Sequence, residues 1–194
     1  MPTVVSFAEI APGSLPPGFA PGLTGGGGPV AWQIVADDSV PSRRVLAQTS
    51  ADRTDTRFPI CIYERASARD IDVAVWFKPV SGRFDQAAGI IVRVTDANNY
   101  YVVRANALED NVRLYHVIRG RRSEFAGADA KVRSGAWQTL RLRAEGNRFQ
   151  VHFKDKLLFE ASDSRLSGPG RIGLWTKADS VTHFDQFSYV ILRA

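Results

Sequence analysis

The stretch Ile71-Asp72-Val73-Ala74-Val75-Trp76-Phe77-Lys78 decides the fold. Ile71, Val73, Val75 and Phe77 fall on one face and Asp72, Trp76 and Lys78 on the other, the period of a half-buried β-strand. Pro79 has no amide donor and is expected to end the ladder. The alternation recurs on the C-terminal side. Tyr101, Val103 and Ala105 alternate with Tyr100, Val102, Arg104 and Asn106, while Leu114 and His116 alternate with Arg113, Tyr115 and Val117. Leu140 and Leu142 oppose Arg141 and Arg143, and Phe149, Val151 and Phe153 oppose Arg148, Gln150 and His152. Turn-forming residues separate these runs every ~8–12 residues, and each run keeps a wet or half-wet face, as antiparallel sheets do. Helical periodicity is almost absent. The pattern predicts an all-β, two-sheet antiparallel sandwich.

Residues 10 to 29 interrupt the pattern. Pro12-Gly13-Ser14-Leu15-Pro16-Pro17-Gly18 and Gly25 to Gly28 suit neither a helix nor a central strand. Residues 1–29 are therefore expected to be an irregular Pro/Gly-rich lead-in, and 30–194 a single sandwich domain. Hairpins are expected at Glu145-Gly146-Asn147 and Asp155-Lys156, and a loop or single turn over Phe125 to Ala130.

With 194 residues, 44% hydrophobic and 23% charged, the chain is long enough for one substantial core and too apolar for disorder. No apolar run approaches the ~18 residues of a membrane span. The single Cys61 excludes an internal disulfide framework, and its apolar setting Pro59-Ile60-Cys61-Ile62 makes it a buried, inert thiol. The net charge of +5 comes from 25 basic and 20 acidic residues, and the basic set is overwhelmingly arginine. These arginines are dispersed rather than gathered into a stripe, so no specific nucleic-acid partner is expected. Arginine also suits planar, bidentate recognition. The start Met1-Pro2-Thr3-Val4-Val5 has neither a basic n-region nor an apolar h-region.

Five segments carry a family resemblance: Gly89-Ile90-Ile91-Val92-Arg93, Asn99-Tyr100-Tyr101, Trp137-Gln138-Thr139-Leu140-Arg141, Gly170-Arg171-Ile172-Gly173-Leu174 and Phe184-Asp185-Gln186-Phe187. With the hairpin Glu145-Gly146-Asn147 between them, the chain from Ile90 to Leu192 resembles the concanavalin A-like lectin/glucanase superfamily. It is most similar to the bacterial branch that includes the 3-keto-disaccharide hydrolase domain family. The resemblance implies a jelly-roll sandwich and a periplasmic or extracellular location, the signal peptide lying outside the sequence given. It also allows for a structural Ca2+, with Asp185 as ligand beside Glu9; no other cofactor is expected. The Glu-x-Asp-x-x-Glu strand motif of related glycosidases is missing.

The residues allow two functional readings. The first is a non-catalytic, exported carbohydrate-binding module whose ligand lies on a concave sheet face. Arg93, Arg104, Asn106 and Arg113 would supply hydrogen bonds there, and Tyr100, Tyr115, Trp76 and Trp175 flat rings for stacking. The phase of this strand places Arg104 on the ligand-facing surface and Tyr101 in the core, with Arg93 beside Arg104 because Val92 and Val94 take the inner face. The alternative is a glycoside hydrolase of the 3-keto-disaccharide type, with Glu64, Asp72 and Glu109 as candidate acids, since glycosidic hydrolysis uses two facing carboxyl groups. An interaction module for protein or polyanion draws only on the arginine excess.

Overall fold

The computed structural model describes residues 1–193, and its regular elements are strands throughout. In chain order they are β1 (Thr3–Val5), β2 (Phe19–Gly25), β3 (Trp32–Ala36), β4 (Arg44–Gln48) and β5 (Arg57–Ala68). Next come β6 (Ile71–Ser81), β7 (Ala87–Asp96), β8 (Asn99–Asn106), β9 (Asn111–Ile118) and β10 (Arg121–Asp129). The last five are β11 (Gln138–Glu145), β12 (Arg148–Phe153), β13 (Lys156–Ser162), β14 (Gly170–Trp175) and β15 (Val181–Ile191). They form two antiparallel sheets. One is eight-stranded, in the order β13-β12-β11-β6-β15-β4-β3 with β1 also paired to β15; the other is seven-stranded, in the order β10-β9-β8-β7-β14-β5-β2.

The faces between the sheets carry the residues that the alternation assigned inward. Ile71, Val73, Val75 and Phe77 of β6, Tyr101, Val103 and Ala105 of β8, and Phe149 and Val151 of β12 belong to one continuous apolar core. Local details differ from expectation. The lead-in is irregular only in part: β1 joins one sheet and β2 the other, and β2 is an edge strand, where Pro21 can face its missing donor away from the ladder. Phe125 to Asp129 run inside β10 rather than in a loop. Strand β6 continues past Pro79 to Ser81, because a register shift between Val181 and Thr182 on β15 absorbs the proline. The second hairpin turns at Lys154-Asp155, both with positive φ, one residue before the expected position.

The seven-stranded sheet is strongly curved. Tyr100 on β8 and Thr24 on β2 lie four strand spacings apart, ~19 Å in a flat sheet. Their hydroxyls are nevertheless 2.8 Å apart, and Trp175 Nε1 donates to the same Tyr100 oxygen at 3.2 Å. The Arg122 guanidinium of β10 stands 5.0 Å from the Phe58 ring on β5, across five spacings. The outer face of this sheet is therefore a trough. A second apolar cluster fills one end of it: Phe58, Ile91, Tyr100, Val102, Val117 and Trp175. Gly89 makes room for Trp175, since a Cβ there would lie 2.9 Å from the Val103 carbonyl and 3.2 Å from Trp175 Cβ.

Arg93 is not on that outer face. It sits in a bulge of β7 with φ +52°, where the pairing with β8 is interrupted between Val92 and Asp96. The extra residue shifts the phase. Val92 stays in the main core, Val94 joins the outer cluster, and the Arg93 side chain is buried at one end of the sandwich. It donates to the carbonyls of Arg69 (2.9 Å), Leu166 (3.0 Å) and Gly146 (2.6 Å), and lies over the rings of Tyr101 and Phe149. Burial pulls its pKa down, opposed by the nearby Tyr101 and Asp70, but a guanidinium stays charged in a protein. Arg93→Ala strands three carbonyls and should cost about 3 kcal/mol or more in denaturant unfolding. Arg93→Lys should recover less than half of that, because one ammonium cannot span three separated acceptors.

Candidate functional site

The trough is apolar at one end and polar at the other, and strand register explains why. Gly89, Arg104 and Arg113 are direct neighbours across β7, β8 and β9, as are Ala87, Asn106 and Asn111 one step further along. Residues two apart on a strand share a face, so Tyr115, Arg113 and Asn111 of β9 all line the trough with Arg104 and Asn106 of β8. Arg104 donates to Asn111 Oδ1, to Glu109 Oε2 at 2.8 Å and to Tyr115 Oη at 3.1 Å. Three of its five N–H donors are thereby used. Asn106 Nδ2 donates to Asp85 Oδ1 at 2.9 Å, and Lys177 Nζ reaches Asp85 and Asp55, each at 2.9 Å. Burial alone would lower the Lys177 pKa, but its hydrogen bonds and charge contacts with the two carboxylates outweigh it, so the pKa is raised and the ammonium stays charged.

A loop overhangs this polar end. The buried Asp179 carboxylate accepts the backbone N–H groups of Arg83 (2.7 Å), Phe84 (3.2 Å) and Asp85 (3.0 Å). Burial opposes ionisation, yet these three donors prevail and hold the Asp179 pKa below the ordinary range. Pinned in this way, Phe84 projects its ring into solvent, 61% exposed, with the Arg53 guanidinium 5.8 Å from its centroid. The site thus has a hydrogen-bonded floor of Arg104, Asn106, Asn111, Asp85 and Lys177, and an aromatic rim at Phe84.

The expected ligand residues are dispersed by the fold. Arg104, Asn106, Arg113 and Tyr115 are together on the trough face, although Arg104 is only 4% exposed and Asn106 fully buried. Arg113 is turned toward Glu124 and Asp129, each 3.7 Å away. Tyr100 and Trp175 are on the same face but fully buried: Trp175 stacks on Phe58 at 5.4 Å, and burial pushes the Tyr100 hydroxyl pKa up to about 12. Trp76 is on the opposite sheet, because β6 belongs to the eight-stranded one. Asn111 was legible in the period of β9. Asp85, Phe84, Lys177 and Asp179 lie outside any alternating run, so periodicity could not have placed them.

The three candidate acids do not converge. Glu64 pairs with Arg171 at 3.3 Å, and Asp72 is gripped from the outer face of the eight-stranded sheet by Arg141 at 2.7 and 2.5 Å. Glu109 is at the trough, bonded to Arg104. The residues expected to hold calcium do not fit it. Asp185 is buried with Oδ2 unpartnered, and burial, with Asp37 nearby, raises its pKa and favours the neutral acid. Glu9 is exposed, and among the described residues no group of three or more His, Cys, Asp or Glu side chains could hold a metal ion. Calcium takes six to eight oxygen ligands.

No protein-family model matches the chain, and no curated protein matches it. Solved structures do. The carbohydrate-binding module CBM66 from Bacillus subtilis aligns with a TM-score of 0.68 at 22% identity, over 89% of this chain and 94% of that one. The exoplasmic/lumenal domain of VIP36, in a Ca2+/Man3GlcNAc-bound form, gives 0.62 at 12% identity, over 92% and 85%. A Bacillus subtilis protein of unknown function with a galectin-like fold gives 0.60 at 13%, over 87% and 88%. The chain shares their two-sheet jelly-roll fold. At these identities the likeness establishes the architecture alone.

In this jelly roll the Asp179 anchor makes acid stability predictable. A carboxylate with a depressed folded pKa contributes stability that is present above its unfolded pKa of about 3.9 and lost as pH falls through the folded value. Asp179→Asn should cost about 1.5–3 kcal/mol at pH 7. Urea titrations from pH 7 downward should show the gap between wild type and variant narrowing below about pH 4.

Proposed function

We propose that this jelly roll is a non-catalytic carbohydrate-binding module, exported to the periplasm or cell exterior, which takes a sugar at the polar end of its trough. The observation that carries this reading is the pairing of a pre-ordered polar floor with an exposed ring on a pinned backbone. Arg104 has unspent donors, the Tyr115 hydroxyl accepts from Arg104 and keeps its own proton to give, and the exposed carboxylate of Glu109 accepts. Vicinal hydroxyls suit such fixed, charge-assisted partners, and the apolar face of a pyranose suits a ring like Phe84. The side chains are locked before any ligand arrives, which reduces the ordering cost of binding. Neighbours in the same fold described as a carbohydrate-binding module and as bound to Man3GlcNAc support the same class of ligand.

A hydrolase of the 3-keto-disaccharide type would need two carboxyl groups facing each other across the glycosidic bond. Glu64, Asp72 and Glu109 are in three separate places, each held by arginine, which favours binding over catalysis.

A glycan array with the purified chain should identify at least one bound sugar. Phe84→Ala removes only an exposed ring, so it should leave the melting temperature unchanged while weakening that sugar about tenfold, the loss of a stacking contact of ~1.4 kcal/mol. An array without hits, or an affinity untouched by Phe84→Ala and Asn111→Ala alike, would refute the trough as the sugar site.

A further inference from the structure

The opposite side of the sandwich carries a second hollow, and its origin is visible in strand register. Val4, Ser188, Ala74, Arg141 and His152 are direct cross-strand neighbours on β1, β15, β6, β11 and β12, all on the outer face of the eight-stranded sheet. The second and third of the row, Ser188 and Ala74, are the small ones. They form a low floor, while Trp76 and Asp72, two residues either side of Ala74 on β6, rise from the same face. The result is a cavity of about 260 Å³ lined by Val4, Ala74, Trp76, Arg141, His152 and Gln186. It crosses four strand spacings, ~19 Å, long enough for several linked sugars rather than one. Beyond Trp76 it continues into a hollow of about 160 Å³ shared by Trp76 and Trp137.

The groove has the features of a polar-ligand site. Trp76 is 41% exposed, although it is a large apolar ring at the centre of a sheet. The Arg141 guanidinium is fixed by its two bonds to Asp72, leaving its remaining donors in a set direction. His152 stands beside Arg141 on the neighbouring strand, half-buried, with its imidazole in the lining of the hollow. Gln186, at φ +50° in the bulge of β15, puts an exposed amide at the groove's edge. An apolar protein partner would leave these polar groups unmatched; a sugar chain offers both flat C–H faces and hydroxyls.

We propose that this groove is a second carbohydrate site, for a linear chain of equatorially substituted pyranoses whose rings lie flat on Trp76 and Trp137 while their hydroxyls meet Arg141, His152 and Gln186. It is independent of the trough, which is on the other sheet.

Tryptophan emission provides the test, because Trp32 and Trp175 are buried and the response to added sugar or iodide comes from Trp76 and Trp137. The full chain is titrated with cellohexaose and with xylohexaose. The expected result is a saturable blue shift with protection from iodide for one of them. Binding followed by calorimetry should weaken at least tenfold in Trp76→Ala and in Ala74→Gln, which raises the floor from an outward position without touching the core; both variants should keep the wild-type melting temperature. Binding that persists in Ala74→Gln but is lost in Phe84→Ala belongs to the trough: it overturns the groove and leaves the first reading standing. No saturable response to either sugar in the wild type also overturns the groove, whatever the glycan array shows for the trough.

Discussion

The hydroxyl of Tyr100, shared between Thr24 and Trp175, holds the seven-stranded sheet in its curve. Without that bend, β8 and β2 would be ~19 Å apart, and the outer face would be an open surface. With it, Phe58, Tyr100 and Trp175 close over one another and seal one end of the trough in apolar contact. At the other end the strands carry Arg104, Asn106 and Asn111 instead of aliphatic residues. A single hydrogen-bonded knot thus marks off the apolar half of the face from its polar half.

The arginine excess has a related explanation. Arg57 and Arg93 are fully buried and act as struts between loops. Arg57 donates to the carbonyls of Gly28, Pro29 and Ala178, and Arg93 to those of Arg69, Gly146 and Leu166. Arg122 lies across three aromatic rings of the trough. A planar fork with five donors can bridge several acceptors and stack on rings, while the compact ammonium of lysine can do neither as well. Arg57, Arg93 and Arg104 are therefore internal scaffolding, three buried cations among 25 basic residues.

The two outer faces solve the problem of exposed sheet surface differently. The curved sheet covers its own centre. The eight-stranded sheet instead neutralises its face with cross-strand ion pairs, Arg141 and Arg143 on Asp72, and leaves small residues where a hollow forms. Both faces combine aromatic rings with fixed polar groups, but at the trough those groups are mostly buried and bonded to each other, while in the groove Trp76 and Gln186 are exposed.

The sequence by itself determined the fold class, the inward phase of β6, β8 and β12, and the position of Tyr101 in the core with Arg104 opposite. Side-chain period is a local property, and burying the apolar set of each strand leaves one phase open. It could not locate Arg93, because a bulge inserts one residue into the count and reverses the phase without any change in composition. It could not separate Trp76 from Trp175, since strand order, which assigns β6 and β14 to different sheets, depends on pairings between distant segments. It also could not reveal that Tyr100 and Trp175, though outward, are sealed from solvent, because curvature is set by contacts such as that of Tyr100 with Thr24, 76 positions apart in the chain. Asp85, Lys177 and Asp179 reach the site from loops, and only the packed tertiary structure brings those loops to the end of the trough.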